Sequence, residues 1–248
     1  MTLSTDSQKE TQLAESPKQN APEFDGNPLF NRELSWLEFN RHVLDEATDD
    51  TLPVLERLKF LSIFSTNLDE FFMIRVAGLK EQIAEGVGEL SPDGMTASEQ
   101  VREIYKRLRP MLKRQVSYLG EVVFPALEKA GITIDAYASL TAKDKKLLDK
   151  YFRDNLFPIL TPQSVDSSHP FPYISNLSMN LGLIIEPNRA LTQPNLRYLF
   201  KQKRFGRIKL PPSVPRLIPI NEKKGRYALL EEVIAANVSE LFPNMKTS

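Results

Sequence analysis

Residues 60–72, FLSIFSTNLDEFF, decide how the first half of this chain folds. They form an apolar helical run that is interrupted by Ser65-Thr66-Asn67, whose short polar side chains compete for helix hydrogen bonds. Thr66 and Asp69 have the spacing of a capping pair, so we expect a new helix to begin there. The first N–H groups of a helix are unpaired and suit a phosphate. Asn67 would lie in that first turn with both a donor and an acceptor to offer.

The sequence on both sides of this segment has helical periodicity. Upstream, residues 31–47 (NRELSWLEFNRHVLDEA) contain Ser35 and Glu38 at capping-box spacing. The predicted buried face of that helix consists of Trp36, Phe39, Val43 and Ala47. A second helix is expected after Pro53, and its apolar stripe continues past the polar interruption at Leu68, Phe72 and Val76. A third, long helix is predicted over residues 96–129.

The second half of the chain changes character. Gly131 ends the long helix, and a short strand at 132–134 follows. Further strands are predicted at 179–185, 197–200, 207–210 and 217–220, with helices at 142–156 and 229–242. We therefore predict an α+β fold, in which an amino-terminal helical bundle domain (29–131) precedes a partial α+β head domain (132–248). Residues 1–28 have almost no large apolar side chain and are expected to be disordered.

Composition excludes several classes of protein. Lys plus Arg and Asp plus Glu number 32 each, so no global charge attracts nucleic acid or a membrane. The chain has no cysteine, which excludes disulfides, thiolate metal sites and cysteine nucleophiles. No apolar run approaches the roughly 18 residues of a transmembrane helix, and no secretory leader pattern is present. We expect a cytoplasmic protein, with peripheral association at the inner face of the membrane left open.

Motifs for complete catalytic sites are absent from the sequence. There is no phosphate-binding loop, no dinucleotide-binding glycine turn and no nucleophile elbow. The only histidines are His42 and His169, so multi-histidine metal sites are excluded. His42 is interpreted as a solvated or boundary helix residue. His169 lies in a proline-flanked loop and is interpreted as a hydrogen-bonding residue of that loop. We predict no catalytic and no metal-binding residue.

Three blocks, residues 31–47, 60–72 and 160–178 (LTPQSVDSSHPFPYISNLS), together resemble the amino-terminal part of polyphosphate kinase. The family in question is the large, histidine-phosphorylated type. The resemblance implies transfer of the γ-phosphate of ATP, through a phosphohistidine, to a growing inorganic polyphosphate chain. It also implies ATP/ADP and polyphosphate as partners, a homodimer or homotetramer, and Mg²⁺ bound by later domains. The phosphorylated histidine belongs to those domains, so we expect this chain to be an inactive fragment.

The resemblance also bears on Asn67. From the residues alone, Asn67 is interpreted as a helix cap or break. In polyphosphate kinases, however, the asparagine of an S-x-N-L-D-E-F segment contacts the nucleotide, so the resemblance implies that Asn67 is nucleotide-binding. Arg75 is a second candidate, with an ion pair to Asp69 as the structural alternative. Asp69 and Glu70 are better explained as first-turn acids than as magnesium ligands.

Two other functions remain open. One is a non-enzymatic helical scaffold or dimerisation module. The other is a nucleic-acid-binding module that uses the basic segment at 201–209, KQKRFGRIK, in which Phe205 and Ile208 alternate with the charges. The neutral net charge ranks nucleic acid last, and our interpretation includes no nucleic-acid partner.

Overall fold

The computed structural model describes residues 30–165, 171–187, 203–243 and 245–247. A helical region comes first, and a mixed α/β region with two small sheets follows. The predicted α+β fold class is confirmed. The tail at 1–28, the predicted strand at 197–200 and His169 lie outside the described residues. The domain boundary after Gly131 stays a prediction.

The helical region is built from five α-helices that have one shared core. They are α1 (Arg32–Ala47), α2 (Val54–Phe71), α3 (Ala77–Glu85), α4 (Ala97–Tyr118) and α5 (Phe124–Lys129). A π-helical turn at Phe72–Val76 joins α2 to α3, and another at Leu119–Val123 joins α4 to α5. α1 packs on both α2 and α4, and α3 packs on α4. The core side chains with almost no exposure include Leu37, Leu44, Phe64, Phe71 and Ile104.

Helix α1 begins earlier than the sequence predicts. Its N-cap is Asn31, whose side-chain oxygen accepts hydrogen bonds from the N–H groups of Glu33 at 3.0 Å and Leu34 at 3.1 Å. The predicted capping box of Ser35 and Glu38 is therefore wrong, and Ser35 is an exposed residue inside the helix. Asparagine caps a helix at least as well as serine, so the earlier signal prevails.

The buried face of α1 also differs from the prediction. Leu34, Leu37, Asn40, Leu44 and Ala47 are buried. Of the predicted face, Ala47 is buried, Trp36 and Val43 are half-buried, and Phe39 is 58% exposed. The core side is turned away from the predicted one because α1 packs against two helices at once, and Phe39 lies outside both contacts.

Helix α2 is continuous through the predicted break. It runs from Val54 to Phe71, and the Thr66 hydroxyl donates to the carbonyl of Ser62 at 3.0 Å. Ser65 likewise donates to the carbonyl four residues before it. These hydroxyls satisfy themselves within the helix, so the predicted helix start at Thr66 is wrong. The free N–H groups that would have suited a phosphate there do not exist.

In its described residues, the second region contains two small sheets and three α-helices. Its elements are β1 (Thr133–Ile134), α6 (Ala142–Tyr151), β2 (Pro162–Val165), β3 (Asn180–Pro187), β4 (Arg204–Lys209), β5 (Leu217–Asn221), β6 (Arg226–Leu229), α7 (Leu230–Ala236), α8 (Val238–Leu241) and β7 (Met245–Thr247). One sheet has the order β2-β4-β3-β7 and is antiparallel. In the other, β6 pairs parallel with β1 and antiparallel with β5.

A second core lies between these sheets and α6 and α7, and it includes Phe152, Ile208, Ile218 and Ile234. Strands β3, β4 and β5 confirm three predicted strands with shifted ends, whereas β2, β6 and β7 were not predicted. Each of these has only three or four residues. The pairing of β1 with β6 joins the end of the long helix to the second region.

Candidate functional site

Asn67 lies at the contact between α1 and α2. Its side-chain nitrogen Nδ2 donates to Oδ1 of Asn40 at 2.9 Å. Asn40 in turn donates from its own Nδ2 to the main-chain carbonyl of Phe64 at 3.1 Å. Asn40 has no exposed surface, whereas Asn67 is half-buried. Among the residues that the structure describes, no donor contacts Oδ1 of Asn67, so one acceptor is open at the edge of this pair.

The ring of Trp36 lies in the same interface, one helical turn from the pair of Asn40 and Asn67. It stacks on Phe71 with a centroid distance of 4.4 Å and an interplanar angle of 3°. Trp36 precedes Asn40 by one turn of α1, and Phe71 follows Asn67 by one turn of α2. The amide pair and the ring pair therefore lie side by side, and the stacked rings fix the spacing of the two helices beside Asn67.

An ion pair continues this row of contacts. Arg75 lies 3.1 Å from the carboxylate of Glu33, which is buried with only 10% of its side chain exposed. The structural alternative for Arg75, an ion pair with Asp69, is therefore wrong, because Arg75 is directed toward α1. Because Arg75 is already paired with Glu33, which Arg32 also contacts at 3.3 Å, it is a weaker candidate for contact with a nucleotide.

The side chains of the run from Ser65 to Glu70 are divided between two faces of α2. Ser65 and Asp69 line a groove of about 290 Å³ between α2 and α4, together with Leu68, Phe72, Tyr105, Leu108, Arg109 and Leu112. Ser65 and Asn67 point about 160° apart on the helix, so Asn67 does not share this groove. Asp69 and Glu70 are both exposed, and in the described part of the chain neither belongs to a group of three or more potential metal ligands.

His42 is solvated, as predicted. Its side chain is 67% exposed, and Nδ1 lies 3.6 Å from a carboxylate oxygen of Asp45. His42 does not line any of the four best-defined cavities among the described residues.

In the predicted basic strand, Phe205 and Ile208 do not lie on one face opposite the charges, as the prediction assumed. In β4, Phe205 and Ile208 are three residues apart and so point to opposite sides of the sheet. Arg207 is buried and donates to Asn180 at 2.8 Å and to Gln163 at 3.2 Å. One of the three cations of the strand is thus used inside the fold, which weakens the nucleic-acid interpretation. Residues 201 and 202 of the basic segment lie outside the described residues.

Asn40 is the residue of this site that the sequence interpretation missed. The available signal is an asparagine in the middle of an apolar face, between Leu37 and Leu44. A buried amide must have hydrogen-bonding partners, so its position predicts a polar partner on the neighbouring helix. The sequence does not say which residue that partner is.

Comparisons with known proteins assign both regions of this chain to domains of one enzyme family. The family model described as "Polyphosphate kinase N-terminal domain" matches residues 29–135, and the model described as "Polyphosphate kinase middle domain" matches residues 143–248. The two matched models describe successive domains of one type of enzyme, and they occur here in the same order. The chain belongs to the polyphosphate kinase family.

Individual relatives support this assignment. The chain is 45% identical over 227 residues to polyphosphate kinase of Synechocystis sp., covering 87% of this chain and 30% of that protein. It is 43% identical over 244 residues to polyphosphate kinase of Thermosynechococcus vestitus, covering 94% and 32%. The crystal structure of polyphosphate kinase from Porphyromonas gingivalis matches with a TM-score of 0.72 and 26% identity, covering 88% of this chain and 31% of that one.

The chain thus spans about 30% of the length of these relatives. In the described residues, no helix is long and apolar enough to cross a membrane.

Proposed function

We propose that this chain supplies the nucleotide-contacting helical part of an ATP:polyphosphate phosphotransferase, with Asn67 as the contact. The single observation that supports the proposal is the open acceptor Oδ1 of Asn67, held at the edge of the α1–α2 interface. The second region would support contacts between subunits of a homodimer or homotetramer. A phosphohistidine would carry the γ-phosphate of ATP to the growing polyphosphate chain.

The contribution of Asn67 is binding and orientation. Phosphoryl transfer depends on positioning and charge neutralisation more than on covalent chemistry by the protein. A side-chain amide on a rigid helix holds a nucleotide in one place, because its own rotation is limited by Asn40. The negative charge of the phosphates would be met elsewhere, since Arg75 is already paired with Glu33.

Magnesium does not fit the residues of this chain that the structure describes. No group of three or more His, Asp or Glu side chains comes together among them, and the adjacent acids Asp69 and Glu70 point about 100° apart on α2. We therefore assign no magnesium ligand among these residues.

The test is titration of this chain with ATP, monitored by the backbone amide resonances of α1 and α2. We expect shifts centred on Asn67. Asn67→Ala should weaken binding about 5- to 150-fold, which corresponds to the roughly 1–3 kcal/mol of a lost polar contact. Thr66→Ala is the matched control, because Thr66 is exposed on the same helix and bonds only within it.

Two results would contradict the proposal. ATP could leave the resonances near Asn67 unchanged, as a non-enzymatic scaffold or dimerisation module would. Alternatively, Asn67→Ala could lower the melting temperature and leave ATP affinity unchanged, which would make the residue a structural partner of Asn40 only.

A further inference from the structure

We propose that Asn40 is a positioning residue that orients the amide of Asn67, so that Asn67 meets the nucleotide as a hydrogen-bond acceptor. The nucleotide group in contact is then a donor. This inference rests on the proposed nucleotide contact and specifies its chemistry.

The orientation follows from the main chain of α2. The carbonyl oxygen of Phe64 can only accept a hydrogen bond. The group of Asn40 that lies 3.1 Å from it must therefore be the donor Nδ2. Oδ1 of Asn40 then faces Asn67, so the atom of Asn67 that contacts it, at 2.9 Å, must be the donor Nδ2. A carbonyl thus determines both amide orientations, which the shape of the side chain alone does not distinguish.

The reverse orientation of Asn67 is strongly disfavoured. It would place Oδ1 of Asn67 against Oδ1 of Asn40, which is fully buried and has no solvent to relieve the contact. Rotating Asn40 as well would only move the clash to the carbonyl of Phe64. An unpaired buried acceptor loses its hydration without replacement, so each alternative is worse than the observed chain of donors.

The neighbouring rings keep this arrangement rigid. Trp36 and Phe71 are stacked at 4.4 Å one turn from the amide pair, on the same two helices. The separation of α1 and α2 at Asn40 is therefore fixed before any ligand binds. Asn67 is half-buried, so its remaining freedom is small while its Oδ1 stays reachable.

The chemistry of the ligand follows from the open acceptor. At neutral pH the phosphates of a nucleoside triphosphate are acceptors, so they do not match Oδ1 of Asn67. The donors on ATP are the exocyclic amine of the base and the two ribose hydroxyls. We infer that one of these is the contact, and that Asn67 reads the nucleoside and not the phosphates.

The experiment compares ligands that lack one donor each. The 248-residue chain is titrated with ATP, with purine riboside triphosphate, in which hydrogen replaces the amine, and with 2′-deoxy-ATP and 3′-deoxy-ATP. Binding is followed by the amide resonances around Asn67. We expect one of these analogues to bind at least about fivefold more weakly than ATP, as loss of a hydrogen bond implies. Weaker binding of purine riboside triphosphate identifies the base amine, and weaker binding of a deoxy analogue identifies that hydroxyl.

Variants separate positioning from packing. In Asn40→Leu, which keeps the side-chain size and removes the amide, Asn67 is free to rotate, and discrimination against the same analogue should fall below about twofold. Gln100→Leu is the matched control, because Gln100 is also a buried amide of the helical region but bonds to Asn31. It should lose stability and keep the discrimination.

The outcomes distinguish this inference from the proposed function. If Asn67→Ala binds ATP as the parent chain does, the nucleotide contact itself is wrong. If Asn67→Ala weakens binding but no analogue is discriminated, or Asn40→Leu keeps the discrimination, only the positioning role is overturned. A ligand-free measurement covers a variant that fails to fold: the NH₂ protons of Asn67 should show nuclear Overhauser contacts to the β protons of Asn40, and their absence would overturn the orientation.

Discussion

At the scale of single residues, polar side chains decide how α1 and α2 meet. Asn40 and Asn67 form the only amide pair among the described residues that joins these two helices, and sliding one helix by a residue would leave a fully buried amide without a partner. An unpaired buried amide destabilises the folded state by more free energy than a paired one contributes to its stability. The pair therefore specifies the register of the interface, while the apolar side chains around it supply most of the stability.

Trp36 tests how much of that stability comes from one aromatic contact. The sequence predicts a buried tryptophan, but Trp36 is half-buried, and its ring stacks on Phe71. We expect Trp36→Ala to lower the free energy of unfolding by about 2–3 kcal/mol, less than the 3–5 kcal/mol of a core tryptophan. Urea unfolding measures the loss. Phe39→Ala is the control, since Phe39 is 58% exposed and should change stability by less than about 0.5 kcal/mol. Equal losses at the two positions would mean that the stack contributes nothing specific.

At the scale of elements, the start of α4 shows how a local signal becomes structure. The Thr96 hydroxyl accepts from the N–H of Glu99, and the Glu99 carboxylate accepts from the N–H and hydroxyl of Thr96. The hydrogen bond from the main-chain N–H of Thr96, with that from its hydroxyl, holds the pKa of Glu99 below its ordinary value. The Glu99 carboxylate therefore stabilises the start of the helix most when it is ionised.

A pH-dependent contribution to stability follows from this cap. Because the folded pKa of Glu99 is lowered, its contribution is fully present above the unfolded pKa and is lost as pH falls through the folded pKa. Glu99→Gln removes this titration. We expect the difference in melting temperature between the parent chain and Glu99→Gln to be constant near neutral pH and to shrink in acid. Thr96→Ala should cost about 1 kcal/mol at neutral pH. A difference that grows in acid would contradict the assigned cap.

Elements also show where sequence prediction succeeds. The long amphipathic helices were predicted because apolar residues recur with the helical period over many turns. Strands β2 and β6 have four residues each and β7 has three, which is too short for an alternation to be seen. The restart at Thr66 was predicted wrongly because a hydroxyl has two local choices, capping a new helix or bonding to the previous turn. Only packing of both halves of α2 on the same core decides between them.

At the scale of the whole molecule, two glycines join the helical region to the second region. Gly225 has φ +62°, and a Cβ atom there would lie 2.1 Å from the carbonyl oxygen of Gly131. The N–H of Thr133 donates to the carbonyl of Gly225 at 2.9 Å, next to the parallel pairing of β1 with β6. The close approach of the two backbones is what allows the end of α5 to meet β6.

This junction makes Gly225 sensitive to any side chain. Gly225→Ala should destabilise the chain by at least about 1–2 kcal/mol from the left-handed conformation alone, with the clash on Gly131 in addition. Gly120→Ala is the matched control, because Gly120 is helical and a Cβ there meets nothing within 4 Å. It should be neutral or stabilising by up to about 1 kcal/mol. Thermal unfolding compares the two, and equal effects would mean that the junction is not constrained.

The candidate site could be predicted from the sequence only in part, because most of its contacts depend on the packed fold. Asn67 was identified by resemblance of its segment to a known family, whereas Asn40, Trp36 and Glu33 became part of the site only when α1 was packed on α2. The hydrogen bonds of Asn40 and the ion pair of Arg75 with Glu33 join residues that are 24 to 42 positions apart along the chain. Such pairs depend on the register of two helices, and no local pattern encodes it.

The last prediction concerns catalysis by this chain alone. Phosphoryl transfer through a protein needs an activated nucleophile, and the sequence offers only His42 and His169 as histidines. The His42 side chain is 67% exposed, and its contacts with the described residues are to Asp45 and Arg41 on its own helix, so none of these residues holds it against a nucleotide. We expect the chain to form no polyphosphate and to take up no stable phosphate when it is incubated with ATP and magnesium. Intact mass measured at neutral or alkaline pH, which preserves phosphohistidine, is the readout, and a full-length polyphosphate kinase is the positive control. An added phosphate that disappears in His42→Ala or His169→Ala would show that this chain carries its own phosphorylated histidine, and the assignment of its role to nucleotide contact alone would then be wrong.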